Sequence, residues 1–258
     1  MIDAAAPTGV ASRQTVAAGT GSTPAIQVEG LSKAYGRTTV LDRLDLEASW
    51  SEVLVLLGPN GSGKTTLIKA LATLTKPDAG QVRVCGLDAA RSGAGVRRLI
   101  GVVTHEPMLY ADLTAQENLR FFARMFSLDR IEERIARIAE TVGMAARLGQ
   151  RVGTLSHGMQ KRLSIARALL HEPCLLLLDE PESGLDQEAL ALLEAIIKAH
   201  AAPGRAVLMS THNLDRALAL GHRMAVLSRG KVAYQESLKT TEPAAVRAAY
   251  LRYTRAAT

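Results

Sequence analysis

Short apolar runs recur along the chain, and most are followed by stretches in which apolar residues return every three or four positions. The runs are typical of strands buried on both faces of a sheet, and the periodic stretches are typical of amphipathic helices packed against it. Four runs predict buried strands, at 53–57, 100–103, 174–178 and 206–211. The pattern therefore indicates an α/β fold around a central sheet.

Other segments alternate between apolar and polar residues, which predicts strands with one buried and one wet face. Within 40–50, Leu44, Leu46 and Ala48 share one face, and charged or polar residues occupy the other. Segment 31–36 is expected to connect this strand to the one before it. Further short strands are predicted at 25–28, 81–86, 224–227 and 231–234.

The middle of the chain changes to helical periodicity. Thr114 and Glu117 have the spacing of a capping box, which marks a helix start. The apolar residues that follow return at helical spacing in two successive segments: Leu119, Phe122 and Phe126, then Ile131, Ile135, Ile138 and Val142. This predicts a helical subdomain inserted between strands, and its phenylalanine stripe is interpreted as core.

These patterns divide the chain into four parts. Residues 1–24 are rich in Ala, Thr, Gly and Ser and are expected to form a disordered tail. Residues 25–106 and 153–238 are expected to form the core, residues 107–152 the helical subdomain, and residues 239–258 a C-terminal helix.

Composition narrows the possible partners. The 258 residues carry a formal charge of +6, but the basic residues are scattered and only 3% of residues are aromatic, so no nucleic-acid partner is expected. Cys85 and Cys174 lie in apolar strand-like segments and are interpreted as buried thiols of a reducing compartment, neither a disulfide nor a metal pair.

No apolar run reaches membrane-spanning length, and the N-terminal segment lacks the apolar core of a signal peptide. We therefore expect a cytosolic protein, whose membrane spans, if it needs any, belong to another chain.

The clearest chemical signal lies between the strand at 53–57 and the periodic stretch that follows it. The segment fits G-x-x-x-x-G-K-[ST], a P-loop, in which backbone N–H groups and a helix N-terminus surround phosphate oxygens. Lys64 is expected to reach the β- and γ-phosphates, and the Thr65 hydroxyl to bind Mg²⁺. The other candidate nucleotide-binding residues of the loop are Gly58, Asn60, Gly61, Ser62, Gly63 and Thr66. An ordinary Gly-rich turn is the alternative, which the flanking strand and helix disfavour.

The second signal is an apolar strand that runs directly into Asp179 and Glu180. Ligands of open parallel sheets lie at the carboxyl ends of the strands, so these side chains should share a crevice with the P-loop. Asp179 is placed to hold Mg²⁺, and Glu180 to polarise a water for attack on the γ-phosphate. His212 follows the strand at 206–211 and is expected in the same crevice. Tyr35 could either stack on a base or pack on the sheet, and its position alone does not decide between these.

Taken in order, these segments resemble the nucleotide-binding domain of ATP-binding cassette (ABC) proteins over about residues 25–236. The resemblance implies a P-loop NTPase core of ABC type with an antiparallel β subdomain and a helical insert. Residues 58–66 resemble Walker A, 155–159 the family signature, 174–180 Walker B with its catalytic glutamate, and 183–186 the D-loop that contains Asp186. His212 resembles the switch histidine, and Tyr35 the adenine-stacking aromatic residue.

Two segments depart from the family pattern. In the signature, His157 and Met159 replace a glycine and a glutamine, while Ser156 and Gly158 keep the hydroxyl and the close backbone approach to phosphate. His105 stands where the family usually has the Q-loop glutamine, which reaches Mg²⁺ and reports to the transmembrane partner. A neutral imidazole can accept or donate a hydrogen bond, whereas a protonated one would repel Mg²⁺.

The resemblance implies an ATPase that uses ATP and Mg²⁺ and acts as a cassette dimer, most simply a homodimer, with two ATP molecules between the subunits. It implies a peripheral position at the cytoplasmic face of the inner membrane, beside a separate permease. The stretch 103–122 further resembles the ATP-binding subunit of the haem exporter of cytochrome c biogenesis. The alternatives are an exporter of drugs, lipids or polysaccharides, a soluble non-transport cassette protein, and a P-loop kinase or other small nucleotide enzyme.

Overall fold

A computed structural model describes residues 23–255 of the chain. The expected tail over 1–24 therefore lies almost entirely outside the described residues. Within that range the chain folds into a six-stranded sheet, a four-stranded sheet and helices that cover them. No helix in residues 23–255 has both the length and the apolar character needed to cross a membrane.

The six-stranded sheet carries the four predicted apolar runs. Its strand order is β10-β9-β3-β8-β7-β6, and all neighbours are parallel except β10, which is antiparallel to β9. The strands are β3 (Val53–Leu57), β6 (Ile100–Val103), β7 (Leu175–Asp179), β8 (Ala206–Ser210), β9 (Arg223–Ser228) and β10 (Lys231–Ser237). The prediction of buried strands is confirmed, since every residue of β3, β7 and β8 is buried. The carboxyl ends of β3, β8 and β7 consequently lie side by side.

The alternating segments form the antiparallel sheet, with strand order β2-β1-β4-β5. Its strands are β1 (Ile26–Tyr35), β2 (Thr38–Ala48), β4 (Ala79–Val84) and β5 (Leu87–Asp88). The expected connection at 31–36 is wrong, because β1 continues through it to Tyr35. Register shifts after Val28 interrupt the alternation there, and the Asp78 carboxylate accepts hydrogen bonds from Lys33 and from the Ala34 backbone. A bulged strand does not keep the two-residue period that sequence patterns reveal.

Eight α-helices are assigned in the described chain. They are α1 (Lys64–Leu71), α2 (Gly93–Leu99), α3 (Ala115–Met125), α4 (Ile131–Thr141), α5 (His157–Leu169), α6 (Gln187–His200), α7 (Leu214–Leu220) and α8 (Pro243–Arg255). The capping box is confirmed: the Thr114 hydroxyl accepts from the Glu117 backbone N–H, and the Glu117 carboxylate accepts from the Thr114 backbone. The pattern missed α2, since its two glycines are poor helix formers.

The six-stranded sheet separates two hydrophobic clusters. Val53, Val55 and Leu57 of β3 face a cluster shared with α3, α5 and α6, whereas Leu54 and Leu56 face a cluster shared with α1 and the antiparallel sheet. Both faces of the central strands are therefore covered, as their uninterrupted apolar sequences require. The sheet is held rigidly, and the loops at its carboxyl edge are positioned by it.

Candidate functional site

The loop from Gly58 to Gly63 connects β3 to α1 at the carboxyl edge of the sheet. Gly58 has φ +152°, and a Cβ there would lie 2.3 Å from the carbonyl oxygen of Leu227. Gly63 has φ +108°, and a Cβ there would lie 2.6 Å from Leu41 Cδ2. Both positions need glycine because β9 and β2 approach the loop backbone directly.

The loop presents unsatisfied donors at its centre. The buried Ser62 hydroxyl has no hydrogen-bond partner within residues 23–255. The first N–H groups of α1 lack intrahelical partners and carry the positive end of the helix dipole. A phosphate group would satisfy these donors, so the loop fits the anion that its sequence predicts.

Lys64 begins α1 and bends back over the loop. Its Nζ donates hydrogen bonds to the carbonyl oxygens of Gly58 at 2.8 Å and Pro59 at 3.2 Å. Burial lowers the pKa of Lys64, and the nearby charges of Glu180 and Asp179 oppose that shift. The ammonium group is thus held between the loop and the acidic end of β7.

The two carboxylates differ in their surroundings. Asp179 is 2% exposed, and its Oδ1 accepts a hydrogen bond of 2.6 Å from the Ser210 hydroxyl. Glu180 is partly exposed, and its backbone N–H donates to the same hydroxyl at 3.0 Å. Glu180 also has φ +44°, an uncommon conformation for a side-chain-bearing residue that redirects the chain immediately after the strand. Ser210 on β8 therefore holds both Asp179, the last residue of β7, and Glu180, the residue after it.

Ser210 is a site residue that the sequence patterns missed. We expect Ser210→Ala to lower the rate of ATP hydrolysis by about tenfold, because the buried Asp179 carboxylate loses its hydroxyl donor and a lost hydrogen bond to a charged group is worth about 1.5–3 kcal/mol. Steady-state phosphate release measures this effect. Ser210→Thr keeps the hydroxyl and serves as the control; equal rates for Ser210→Ala and wild type would contradict this role.

His212 lies one residue beyond a buried threonine that follows β8. Its Nδ1 is 3.5 Å from Oε2 of Glu180, and its side chain is 64% exposed. The preceding residue, Thr211, donates a hydrogen bond to Oε1 of Glu182. The loops after β7 and β8 are therefore joined by a hydrogen bond beside the Glu180–His212 pair.

The structure brings Lys64, Asp179, Glu180 and His212 together, but other predicted site residues lie elsewhere. Ser156 caps α5 by accepting from the Met159 backbone N–H at 3.3 Å, and a Cβ on Gly158 would lie 3.4 Å from the Gly184 carbonyl oxygen. Asp186 caps α6 and forms an ion pair of 3.5 Å with Arg162. Ser156, Gly158 and Asp186 thus form a second group around the start of α5.

Tyr35 lies at the end of β1 and is 50% exposed. Its hydroxyl is 3.4 Å from Thr75 Oγ1, and the Lys33 ammonium lies 5.5 Å from its ring centroid. Thr75 follows the carboxyl end of α1, whereas the P-loop precedes the amino end of that helix, about 10 Å away along the axis. The ring is available for stacking, although here it faces Thr75.

His105 lies in an exposed bend after β6. The preceding Thr104 is buried, and its carbonyl oxygen accepts a hydrogen bond of 3.2 Å from Nζ of Lys161 on α5. Burial lowers the pKa of Lys161, whereas the negative charges of Asp179, Glu182 and Glu180 act to raise it. Lys161, which the sequence patterns also missed, connects α5 to the bend that carries His105.

This geometry defines a class of protein. A phosphate-binding loop, a buried strand that ends in Asp-Glu and a polar side chain after the neighbouring strand belong to a P-loop nucleotide hydrolase.

Comparison with known proteins identifies the family. A family model described as ABC transporter matches residues 41–183, more than half of the chain, so the chain belongs to the ABC transporter family. It is 37% identical over 215 residues to the Nod factor export ATP-binding protein I of Ralstonia nicotianae, an alignment that covers 83% of this chain and 67% of the relative. It is 36% identical over 220 residues to the uncharacterized ABC transporter ATP-binding protein YdbJ of Bacillus subtilis, an alignment that covers 85% of this chain and 71% of the relative.

Solved structures of ABC transporter subunits superpose on this chain and support the family assignment. The ATP-binding subunit of an ABC transporter superposes with a TM-score of 0.80 at 28% identity, covering 88% of this chain and 99% of the other. A dimeric ATP-binding cassette in a post-hydrolysis state, bound to ADP and Pi, superposes with a TM-score of 0.77 at 26% identity. The superposition covers 84% of this chain and 100% of the other. This chain is therefore the ATP-binding subunit of an ABC transporter, with the fold of an ABC ATPase.

Proposed function

We propose that this chain hydrolyses Mg²⁺-ATP as one half of a cassette dimer and drives export through a separate membrane subunit at the cytoplasmic face of the cell membrane. The observation that carries the ATPase part is the meeting of the P-loop with the Asp179–Glu180 pair and His212. Hydrolysis needs a phosphate cradle, a metal and a water-activating group in one place, and this edge of the sheet supplies side chains for each.

The roles follow from the surroundings of each group. Lys64 and the loop residues Gly58, Asn60, Gly61, Ser62, Gly63 and Thr66 bind the phosphates. Thr65 and Asp179 offer hard oxygen atoms, which suit Mg²⁺. Residues 23–255 contain no cluster of three or more His, Cys, Asp or Glu arranged for a metal ion, so a cation here would share its ligands with the nucleotide and water. Glu180 orients the attacking water, and His212 contacts the γ-phosphate beside it.

The second group of residues supports a dimer. Ser156 and Gly158 begin α5 next to the D-loop residues Gly184 and Asp186, and Ser156, Gly158 and Asp186 line one cleft. We propose that they contact the nucleotide held by the partner's P-loop, most simply in a homodimer. The dimeric cassettes among the similar structures are consistent with this arrangement.

His105 is proposed to take the place of the Q-loop glutamine. Its exposed bend follows β6, the strand next to β7, and Lys161 ties the bend to α5. A H105Q variant with unchanged ATPase activity and pH profile would remove His105 from this assignment.

An apolar groove supports a membrane subunit as partner. It lies between α3, α5 and the edge of the sheet. Its larger side chains are Leu74, Met108, Phe122, Met125, Phe126 and His171, together with Arg97 and Arg167. Met125 is 55% exposed and Leu74 48%, and exposed apolar side chains that line one groove are typical of an interaction site. A short helix from the permease would cover them.

The base of this groove is rigid. Arg167 donates to the carbonyl oxygens of Val102 and Met108 and lies over the Phe122 ring, and burial lowers its pKa to about 10. His171 stacks on Phe126 with centroids 4.1 Å apart, and burial lowers its pKa to about 4. The imidazole is therefore neutral at physiological pH, which keeps this part of the groove apolar.

The similar relatives support export as the direction of transport, but they do not support haem as the cargo. The Nod factor export proteins among the similar relatives are named for another cargo, so the narrower expectation of haem export receives no support from them. We propose an exporter of this broader class, with drugs, lipids and polysaccharides as the alternative cargoes.

A groove variant tests the membrane coupling. Met125→Asp places a carboxylate where the permease helix would pack, and we expect recovery of the transporter's membrane subunit from detergent extracts to fall at least tenfold. ATP hydrolysis by the isolated chain is expected to stay within twofold of wild type, since Met125 is outside the ATP site. Affinity purification followed by mass spectrometry measures the first effect, and phosphate release the second.

Leu251→Asp on α8 is the matched control. Leu251 is 47% exposed but lies away from the groove, so this variant should retain the membrane subunit. Recovery that is equal for both variants would contradict the groove as the docking surface. Recovery of soluble partners alone would instead favour a non-transport cassette protein.

A further inference from the structure

Cys85 and Cys174 lie 89 positions apart in the sequence, but their Sγ atoms are 3.2 Å apart. Both thiols are free, and they are partly exposed, whereas the sequence pattern predicted that both would be buried. Sequence patterns do not reveal their contact, because it arises only when the antiparallel sheet folds over the central sheet.

The two cysteines connect different layers of the fold. Cys85 directly follows β4 of the antiparallel sheet, and its backbone N–H donates to the Ala25 carbonyl at 2.8 Å. Cys174 directly precedes β7, and its backbone N–H donates to the Leu99 carbonyl at 2.9 Å. The pair thus spans the boundary between the sheets, at the opposite end of β7 from Asp179.

The contact makes the two thiols chemically unequal. The hydrogen bond between the two thiols, with help from the charge of Arg205, lowers the pKa of Cys174 against the effect of burial. The same hydrogen bond, together with burial, raises the pKa of Cys85. Because the thiolate is the nucleophile in thiol–disulfide exchange, Cys174 is the attacking residue and Cys85 the resolving one.

We propose that Cys85 and Cys174 form a reversible disulfide that fastens the antiparallel sheet to the central sheet when the chain meets a small-molecule disulfide such as glutathione disulfide. The Cys174 thiolate attacks one sulfur of the oxidant, forms a mixed disulfide and releases one glutathione thiolate. Cys85 then loses its proton and attacks Sγ of Cys174, which releases the second glutathione. The two cysteines supply two electrons, and one glutathione disulfide becomes two glutathione molecules.

The geometry limits what this bond changes. Closing it brings together two sulfur atoms that are already 3.2 Å apart, against about 2.05 Å in a disulfide. The bond closes a long loop, which restricts the unfolded chain more than the folded one. The oxidised chain should therefore be more stable to heat, while the ATP site at the far end of the strands keeps its geometry.

The test compares wild type with Cys85→Ser and Cys174→Ser after incubation with glutathione disulfide. Wild type should lose two hydrogens in intact mass, yield a Cys85–Cys174 crosslinked peptide, and melt about 5–10 °C higher than the reduced chain. Dithiothreitol should reverse all three changes. Each single variant should stop at one glutathione adduct, formed more slowly in Cys174→Ser, with little change in melting temperature.

Other results would overturn the proposal. Two glutathione adducts on wild type, disulfide-linked dimers on a non-reducing gel, or a crosslink without a rise in melting temperature would each contradict it. Peptide mapping of the wild-type chain decides the connectivity even if a serine variant fails to fold. ATP hydrolysis is expected to stay within twofold between the oxidised and reduced chains.

Discussion

Glu180→Gln is expected to lower the rate of ATP hydrolysis by about 10²–10⁴-fold and to leave an ATP-bound dimer in solution. The amide has the shape of the carboxylate but cannot take a proton from the attacking water. Its backbone N–H still bonds to Ser210, so the fold of the loop is preserved. Phosphate release measures the rate, and size-exclusion chromatography with and without Mg²⁺-ATP measures the dimer.

Glu140→Gln is the control for this change. It removes the same charge from an exposed position on α4, away from the site, and should hydrolyse ATP at the wild-type rate. Hydrolysis by Glu180→Gln within a few-fold of wild type would exclude Glu180 as the water-activating group. A Glu180→Gln variant that binds ATP but stays monomeric would contradict the proposed cassette dimer.

Gly58→Ala is expected to destabilise the chain by about 3 kcal/mol or more and to abolish ATP binding. A Cβ at this position would lie 2.3 Å from the Leu227 carbonyl oxygen and 2.7 Å from Ser62 Oγ. Leu227 belongs to β9, which is paired with β3, so the backbone can yield only by disturbing the sheet. Urea unfolding measures the free energy, and fluorescent nucleotide titration measures binding.

Gly36→Ala is the control for Gly58→Ala, because it places a Cβ at a glycine with positive φ that has no close neighbour. Gly36 has φ +60°, and a Cβ there would meet no other atom of residues 23–255 within 4 Å, so its substitution should cost only about 1–2 kcal/mol. It lies in the turn between β1 and β2 and should leave ATP affinity close to wild type. Equal destabilisation by the two variants would contradict the approach of β9 as a source of additional cost at position 58.

Much of the architecture is readable from local patterns. The apolar runs of β3, β7 and β8 are long enough, and free enough of polar residues, to identify strands buried on both faces. The capping box at Thr114 is predictable from four residues, because the hydrogen bonds that define it are made within one helical turn. The patterns fail at β1, where bulges break the period, and at α2, where glycines weaken the helical signal.

The residues of the functional site also divide into those that local patterns predict and those that they miss. A shared crevice for Lys64, Asp179, Glu180 and His212 is predictable because each follows a strand of one parallel sheet, and the carboxyl ends of such strands meet at one edge. Ser210 and Lys161 are missed, since a serine at the end of a strand and a lysine within a helix have no distinctive local pattern. Their importance comes from distances to residues far away in the sequence.

The sequence by itself therefore determined most strands, most helices, the phosphate loop and the acidic end of β7, all of which depend on residues near one another in the chain. Only the tertiary structure decided that Ser210 holds both acids, that Tyr35 faces Thr75, and that Cys85 meets Cys174. These contacts depend on the order of strands and on the way one sheet covers the other. Burial and packing of the whole chain set that arrangement, and no short segment encodes it.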